Sequence, residues 1–99
     1  MKSKKELKEI YKNLIEMIRS VINKWDPYGL IASGAPKDEF DIEIMDIAVK
    51  VQAIHTEKDA ILVISEVFSK WFNPKDFTLQ YCDRVGKELF MKLKEEKFI

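Results

Sequence analysis

The chain has 99 residues, 46% of them hydrophobic, with 17 basic and 17 acidic side chains. That suffices for one domain burying roughly 60–65% of its unfolded surface without disulfide or metal staples, leaves no room for a second, and gives no global field to attract nucleic acid or an anionic membrane. A lone cysteine, Cys82, forbids an internal disulfide, and the longest apolar run, Ala60 to Ile64, is far short of the roughly 20 residues that cross a bilayer.

The N-terminus joins no basic region to an apolar run and cleavage site, so a soluble cytoplasmic protein is expected. Ser3 followed by Glu6 reads as a capping box that starts a first helix near Lys4. From there Leu7, Ile10, Tyr11, Leu14, Met17, Ile18, Val21, Ile22 and Trp25 recur at spacings of three and four, one buried stripe with most charges opposite. Pro27 disfavours helical geometry at Asp26, so the helix should stop near Lys24 or Trp25.

Asp26 to Phe40 has no sustained period, and a connection of that length is either an ordered functional loop or a linker. Trp25, Tyr28, Leu30, Ile31 and Phe40 are anchors that a solvated linker would lack, which predicts an ordered lid over the helices with Gly29 and Gly34 supplying positive φ. A second helix should begin with Asp41 as its cap and with Phe40 and Met45 as a hydrophobic staple. Ile44, Ile47, Ala48, Val51 and Ile54 mark its buried stripe. Ile42, Met45 and Val49 lie off that stripe, so the helix is expected to be buried on more than one side.

Thr56 with Asp59 repeats the cap pattern and opens a third helix, whose core stripe is Ala60, Ile61, Ile64, Val67, Phe68, Trp71 and Phe72, with Leu62 and Val63 thickening it. Asn73-Pro74 should end it through a left-handed Asn. Thr78 is the expected cap of a fourth helix that turns Tyr81, Cys82, Val85, Gly86, Leu89, Phe90 and Leu93 inward, with Gly86 marking a close helix approach. The reading is one all-α, four-helix bundle-like domain over residues 1–99, with a long ordered loop between the first two helices.

Charge is segregated along this neutral chain. Residues 1–24 carry seven Lys or Arg against three Glu, whereas residues 26–46 carry Lys37 against Asp26, Asp38, Glu39, Asp41, Glu43 and Asp46. An EF-hand reading of the acidic segment fails on spacing: counted from Asp38, the third place is Phe40 and the sixth is Glu43, where an oxygen ligand and a glycine are needed. Helix capping and solubility explain the carboxylates better, and no metal or other cofactor is assigned. No acid pair is fixed in the way a glycosidase requires, the sole histidine, His55, reads as a cap or surface residue, and Cys82 reads as an inert buried thiol, so no catalytic residue is assigned. Lys2, Lys4, Lys5, Lys8 and Lys12 alternate with glutamates and read as a solvated face, not a nucleic-acid track. Trp25, Tyr28, Phe40, Trp71 and Phe72 could line a ligand box, though core is the commoner fate of aromatics at helical spacing.

Asp26-Pro27, a spacer, then Gly34-Ala35-Pro36-x-Asp38-Glu39-Phe40-Asp41-x-Glu43-Ile44 resembles a pattern of the YugE-like family of small uncharacterised bacterial proteins, a domain of unknown function. The resemblance covers nearly the whole chain and implies an all-helical fold with no assigned activity; Phe40 stands where tyrosine is expected. The shorter pattern of Asp-Pro followed by Asp-Glu-aromatic-Asp also resembles one in immunity proteins that neutralise bacterial toxins. Together these readings predict a protein-interaction module that contacts an unidentified protein partner through Asp26, Tyr28, Asp38, Glu39 and Phe40, the alternative being a metal-dependent binder or enzyme using the same carboxylates. The surplus apolar residues of helices two and three must be covered, by the loop and flanking helices in a monomer or by a second copy in a homodimer.

Overall fold

The computed structural model describes residues 2–99, which form four α-helices: α1 over Lys4–Trp25, α2 over Asp41–Val49, α3 over Glu57–Trp71 and α4 over Leu79–Glu95. Short 3-10 turns at Pro27–Gly29 and Val51–Ala53 interrupt the connections, and no strand occurs among the described residues. The helix starts follow the side-chain chemistry. Ser3 Oγ accepts the Glu6 N–H at 3.2 Å, but Glu6 takes the Ser3 hydroxyl at 3.3 Å and not its N–H, so only half of the box forms. Thr56 and Asp59 make the complete reciprocal box, and Thr78 Oγ1 accepts the Tyr81 N–H at 3.1 Å.

The ends depart from expectation. α3 stops because Phe72 turns to extended backbone (φ −131°, ψ −154°); among the described residues positive φ outside glycine occurs at Asp26, Tyr28 and Lys97, not at Asn73. Asn73 instead accepts the Lys75 N–H through its side chain, since a residue before proline is steered away from helical geometry. α4 ends in a Schellman turn: Lys97 takes the left-handed position, Phe98 N–H reaches the Leu93 carbonyl at 2.8 Å, and the Phe98 ring folds back on the core.

Among the helices α3 packs most heavily on α4, and α1 packs on both α2 and α4. α3 and α4 come close at Gly86, where an added Cβ would lie 2.6 Å from the Ile61 Cα. α1 contributes Leu14, Met17, Ile18, Val21 and Ile22 to the core, but the expected stripe is not buried over its whole length: Leu7 and Tyr11 are exposed. The cause is length. The chain end after α4, at Glu96 and Phe98, lies beside Asn13–Ser20, so the first turns of α1 project past the end of the bundle.

The long loop is ordered by the anchors that the sequence singled out. Phe40 is wholly buried, and Trp25, Leu30 and Ile31 pack on the core from its edge. Gly29 (φ 63°) and Gly34 (φ 108°) take the expected positive φ. The loop does not cover the second helix, however. α2 is neither capped by Asp41 nor buried on two sides: Phe40 is its N-cap and makes no side-chain cap bond, Asp41 lies in the first turn, and Met45 points outward from the staple proposed for it. Val51 and Ile54, read as the end of the same helical stripe, are buried from the 3-10 turn that follows α2 and from the residue after it.

Candidate functional site

The Asp26–Asp46 segment holds six carboxylates, and the fold uses most of them internally. Asp26 is left-handed (φ 49°, ψ 64°), a conformation that aspartate tolerates better than bulkier residues, and its carboxylate accepts the N–H groups of Ile31 at 2.8 Å and Ala32 at 3.0 Å. It is a loop organiser. Tyr28, also left-handed (φ 63°), is held by ring contacts with Phe72 and Phe77 and by a 2.7 Å hydrogen bond from its hydroxyl to Asp76; that bond is the largest cause raising the phenol's pKa.

Asp41 receives a forked pair of bonds from Arg19, at 3.0 and 3.1 Å, which ties the start of α2 to the middle of α1. One turn further along α1, Asn23 Nδ2 donates to the Lys37 carbonyl at 2.9 Å, while its buried Oδ1 has no hydrogen-bond partner among the described residues. Asp46 gathers Lys50, Lys70 (3.8 Å) and the Trp71 indole N–H (3.2 Å), and the Lys50 bond is the first cause that lowers its pKa. Glu43 is only 5% exposed and forms no ion pair among the described residues; desolvation pushes its pKa up, and Glu39, Asp41 and Asp46 add to the rise.

Asp38 and Glu39 remain. Both are exposed, and among the described residues neither side chain forms a hydrogen bond or ion pair. Of the five partner-contact residues read from the sequence, Asp38, Glu39 and the edge of Tyr28 therefore reach solvent, Asp26 is engaged with the loop backbone, and Phe40 is withdrawn into the core, so its ring offers no contact surface.

Next to Asp38 and Glu39 lies the feature that distinguishes this segment. Ile42, Met45 and Val49 are 59%, 52% and 69% exposed. Their i, i+3, i+7 spacing puts them on one strip of α2, and Asp46, Lys50 and Trp71 border it through the contacts above. The helix carries apolar side chains on two faces: Ile44, Ile47 and Ala48 fill the core, while Ile42, Met45 and Val49 stay open. Exposed Lys37, Asp38 and Glu39 precede Ile42, and on the flank of the strip Lys50 and Lys70 both pair with Asp46.

The other candidates are absorbed by the fold or carry less. Trp25, Tyr28, Phe40, Phe68, Phe72, Phe77 and Tyr81 stack into one cluster with centroid separations between 5.2 and 6.4 Å, so the anticipated aromatic box is core, with Trp71 outside it. Phe77 is the centre of that cluster and was not expected, since it sits in the short α3–α4 link, where no period marks it. Cys82 is buried and its thiol is pushed up to about 11 by desolvation, and His55 is exposed with its backbone N–H on Asp59. Among the described residues no three of His, Cys, Asp and Glu converge to hold a metal ion, and no helix is long and apolar enough to cross a membrane. A shallow groove between α3 and α4, lined by Lys58, Ile61, Leu62, Leu79 and Asp83, also exposes apolar surface.

Residues 16–97 match the family model described as domain of unknown function DUF1871, and the chain belongs to that family. The description carries no activity, and neither the YugE-like name nor the immunity likeness follows from it. No curated protein and no solved structure matches the chain.

Proposed function

We propose that this member of the DUF1871 family is a protein-interaction module and that the outer face of α2 is its docking surface. The observation that carries the reading is the open strip of Ile42, Met45 and Val49 on a helix whose opposite face fills the core. Three large apolar side chains left together in water on one rigid helix are better accounted for by a covering partner than by folding, which gains nothing from them. Asp38 and Glu39 form the acidic rim of this surface, and Trp71, fixed by Asp46, supplies an aromatic edge of the kind that anchors interfaces.

This differs from a surface made by the whole acidic segment, since Asp26, Asp41 and Asp46 already have partners inside the chain. An immunity-like role against a basic toxin surface would rest on Asp38 and Glu39, the carboxylates still free to meet it. Capture from an extract of the native host tests the reading when wild type is compared with Met45→Glu. A protein retained by wild type and lost by the variant, with circular dichroism unchanged, is the expected outcome; identical retention on both removes α2 from the interface.

A further inference from the structure

Tyr28 (φ 63°, ψ 3°) is a bulky residue in left-handed geometry, which persists only where the surroundings enforce it. Gly29, beside it at the same φ, adopts that geometry without cost. What holds Tyr28 there is its own side chain. The ring packs edge-on against Phe72 and Phe77, and the hydroxyl donates to Asp76 of the α3–α4 link at 2.7 Å. Backbone strain and side-chain attachment therefore oppose each other at one residue.

The segment that Tyr28 fastens is separable from the helices. The N–H groups of Gly29, Ile31, Ala32, Ser33, Gly34 and Ala35 all donate to acceptors within residues 26–35. Asp26 and Gly34, both at positive φ, stand at its two ends. Outside them the chain is pinned again, by Trp25 against Phe68 and Phe77 and by the Asn23 bond to the Lys37 carbonyl. A unit that satisfies its own backbone can swing out without orphaning N–H groups on either side. It gives up only the Tyr28 contacts and the packing of half-buried Leu30 and Ile31.

We infer that residues 27–33 form a flap that opens while the four helices stay folded, with Tyr28 as its strained latch. The Tyr28 ring, 49% exposed, is the outer layer over Phe72 and Phe77, so opening uncovers those two rings of the aromatic core. Loss of the Asp76 bond lets Tyr28 relax to ordinary φ, and a single exposed contact thus controls access to them.

Thiol labelling reads flap and core in one molecule. In full-length Ile31→Cys the thiol at position 31 reports the flap, and Cys82, 0% exposed on α4, reports the core. With each rate normalised to that in denaturant, position 31 should label faster than Cys82. Adding Tyr28→Phe or Asp76→Ala should speed position 31 about tenfold and leave Cys82 unchanged; Asp76 is exposed, so its removal spares the fold. Strain is read by adding Tyr28→Ala or Tyr28→Gly instead. Both lose the ring, but alanine keeps a Cβ in left-handed geometry, so position 31 should label about fivefold faster with alanine than with glycine. Equal normalised rates at position 31 and Cys82, rising together in Tyr28→Phe, overturn the separate flap. Unchanged labelling of position 31 in both Tyr28→Phe and Asp76→Ala overturns the latch, and equal labelling with alanine and glycine overturns the strain.

Discussion

Glu43 and Asp46 are three positions apart on one helix, and the fold shifts their pKa values in opposite directions. Burial without a cation raises Glu43, so in the window between the ordinary glutamate value and its folded value the native state holds more protons than the unfolded one, and stability falls as pH rises through that window. Glu43→Gln should therefore stabilise the protein at neutral pH by on the order of 1 kcal/mol and lose that advantage below about pH 4. Asp46 is lowered by Lys50 and then by Trp71 and Lys70, so its contribution is present above the ordinary aspartate range and is lost as pH falls through its folded value. Asp46→Asn should cost on the order of 1–2 kcal/mol at neutral pH and flatten the acid limb. Urea midpoints of both variants between about pH 3 and 8 read the two opposite slopes. A second pair tests how the acidic segment is divided: Asp26→Ala removes the acceptor of two N–H groups and should cost about 1–3 kcal/mol, whereas Asp38→Ala should stay within about 0.5 kcal/mol.

For the helices themselves, propensity and packing pull apart at Gly86. Alanine is the better helix former by about 1 kcal/mol, but its methyl would sit 2.6 Å from the Ile61 Cα, so α3 and α4 must separate; overpacking of that kind costs about 1–3 kcal/mol. Gly86→Ala should lower the thermal midpoint, and an unchanged or raised midpoint would show that α3 can shift without loss. The opposite holds at the start of α1. Leu7 and Tyr11 are exposed, so removing residues 1–9 should leave the midpoint within a few degrees, a change of under about 1 kcal/mol. The four helices were legible because their stripes, caps and prolines are local signals, and Gly86 was legible as a glycine on a buried face. Where α1 loses its neighbours was not, since that depends on where α4 ends. Nor was the Arg19–Asp41 fork, which joins residues 22 apart and takes Asp41 from the cap role that spacing suggested.

Across the whole molecule, the aromatic cluster and the α2 strip show the same division. Trp25 and Phe40 could be read as loop anchors and Phe72 as the end of a helical stripe, but Phe77, whose ring meets both Trp25 and Phe72, carries no periodic signal. The surplus of Ile42, Met45 and Val49 was visible in the sequence as residues off the stripe; that the loop packs on the core and leaves them open is a fact of the tertiary arrangement. Loop packing has its own check, because Leu30 lies against the core while Ile42 does not: Leu30→Asp should cost about 2 kcal/mol or more, and Ile42→Asp under about 1 kcal/mol. The most direct measurement of what α2 presents is photocrosslinking in the native host from a benzophenone side chain placed, in separate variants, at Leu7, Met45, Leu62 or Met91, four exposed apolar positions on different parts of the surface. A discrete adduct from Met45, whether of twice the chain mass or with another protein, and none from the other three is the predicted result; adducts from Leu7, Leu62 or Met91 with none from Met45 would contradict the assignment of the docking surface to α2.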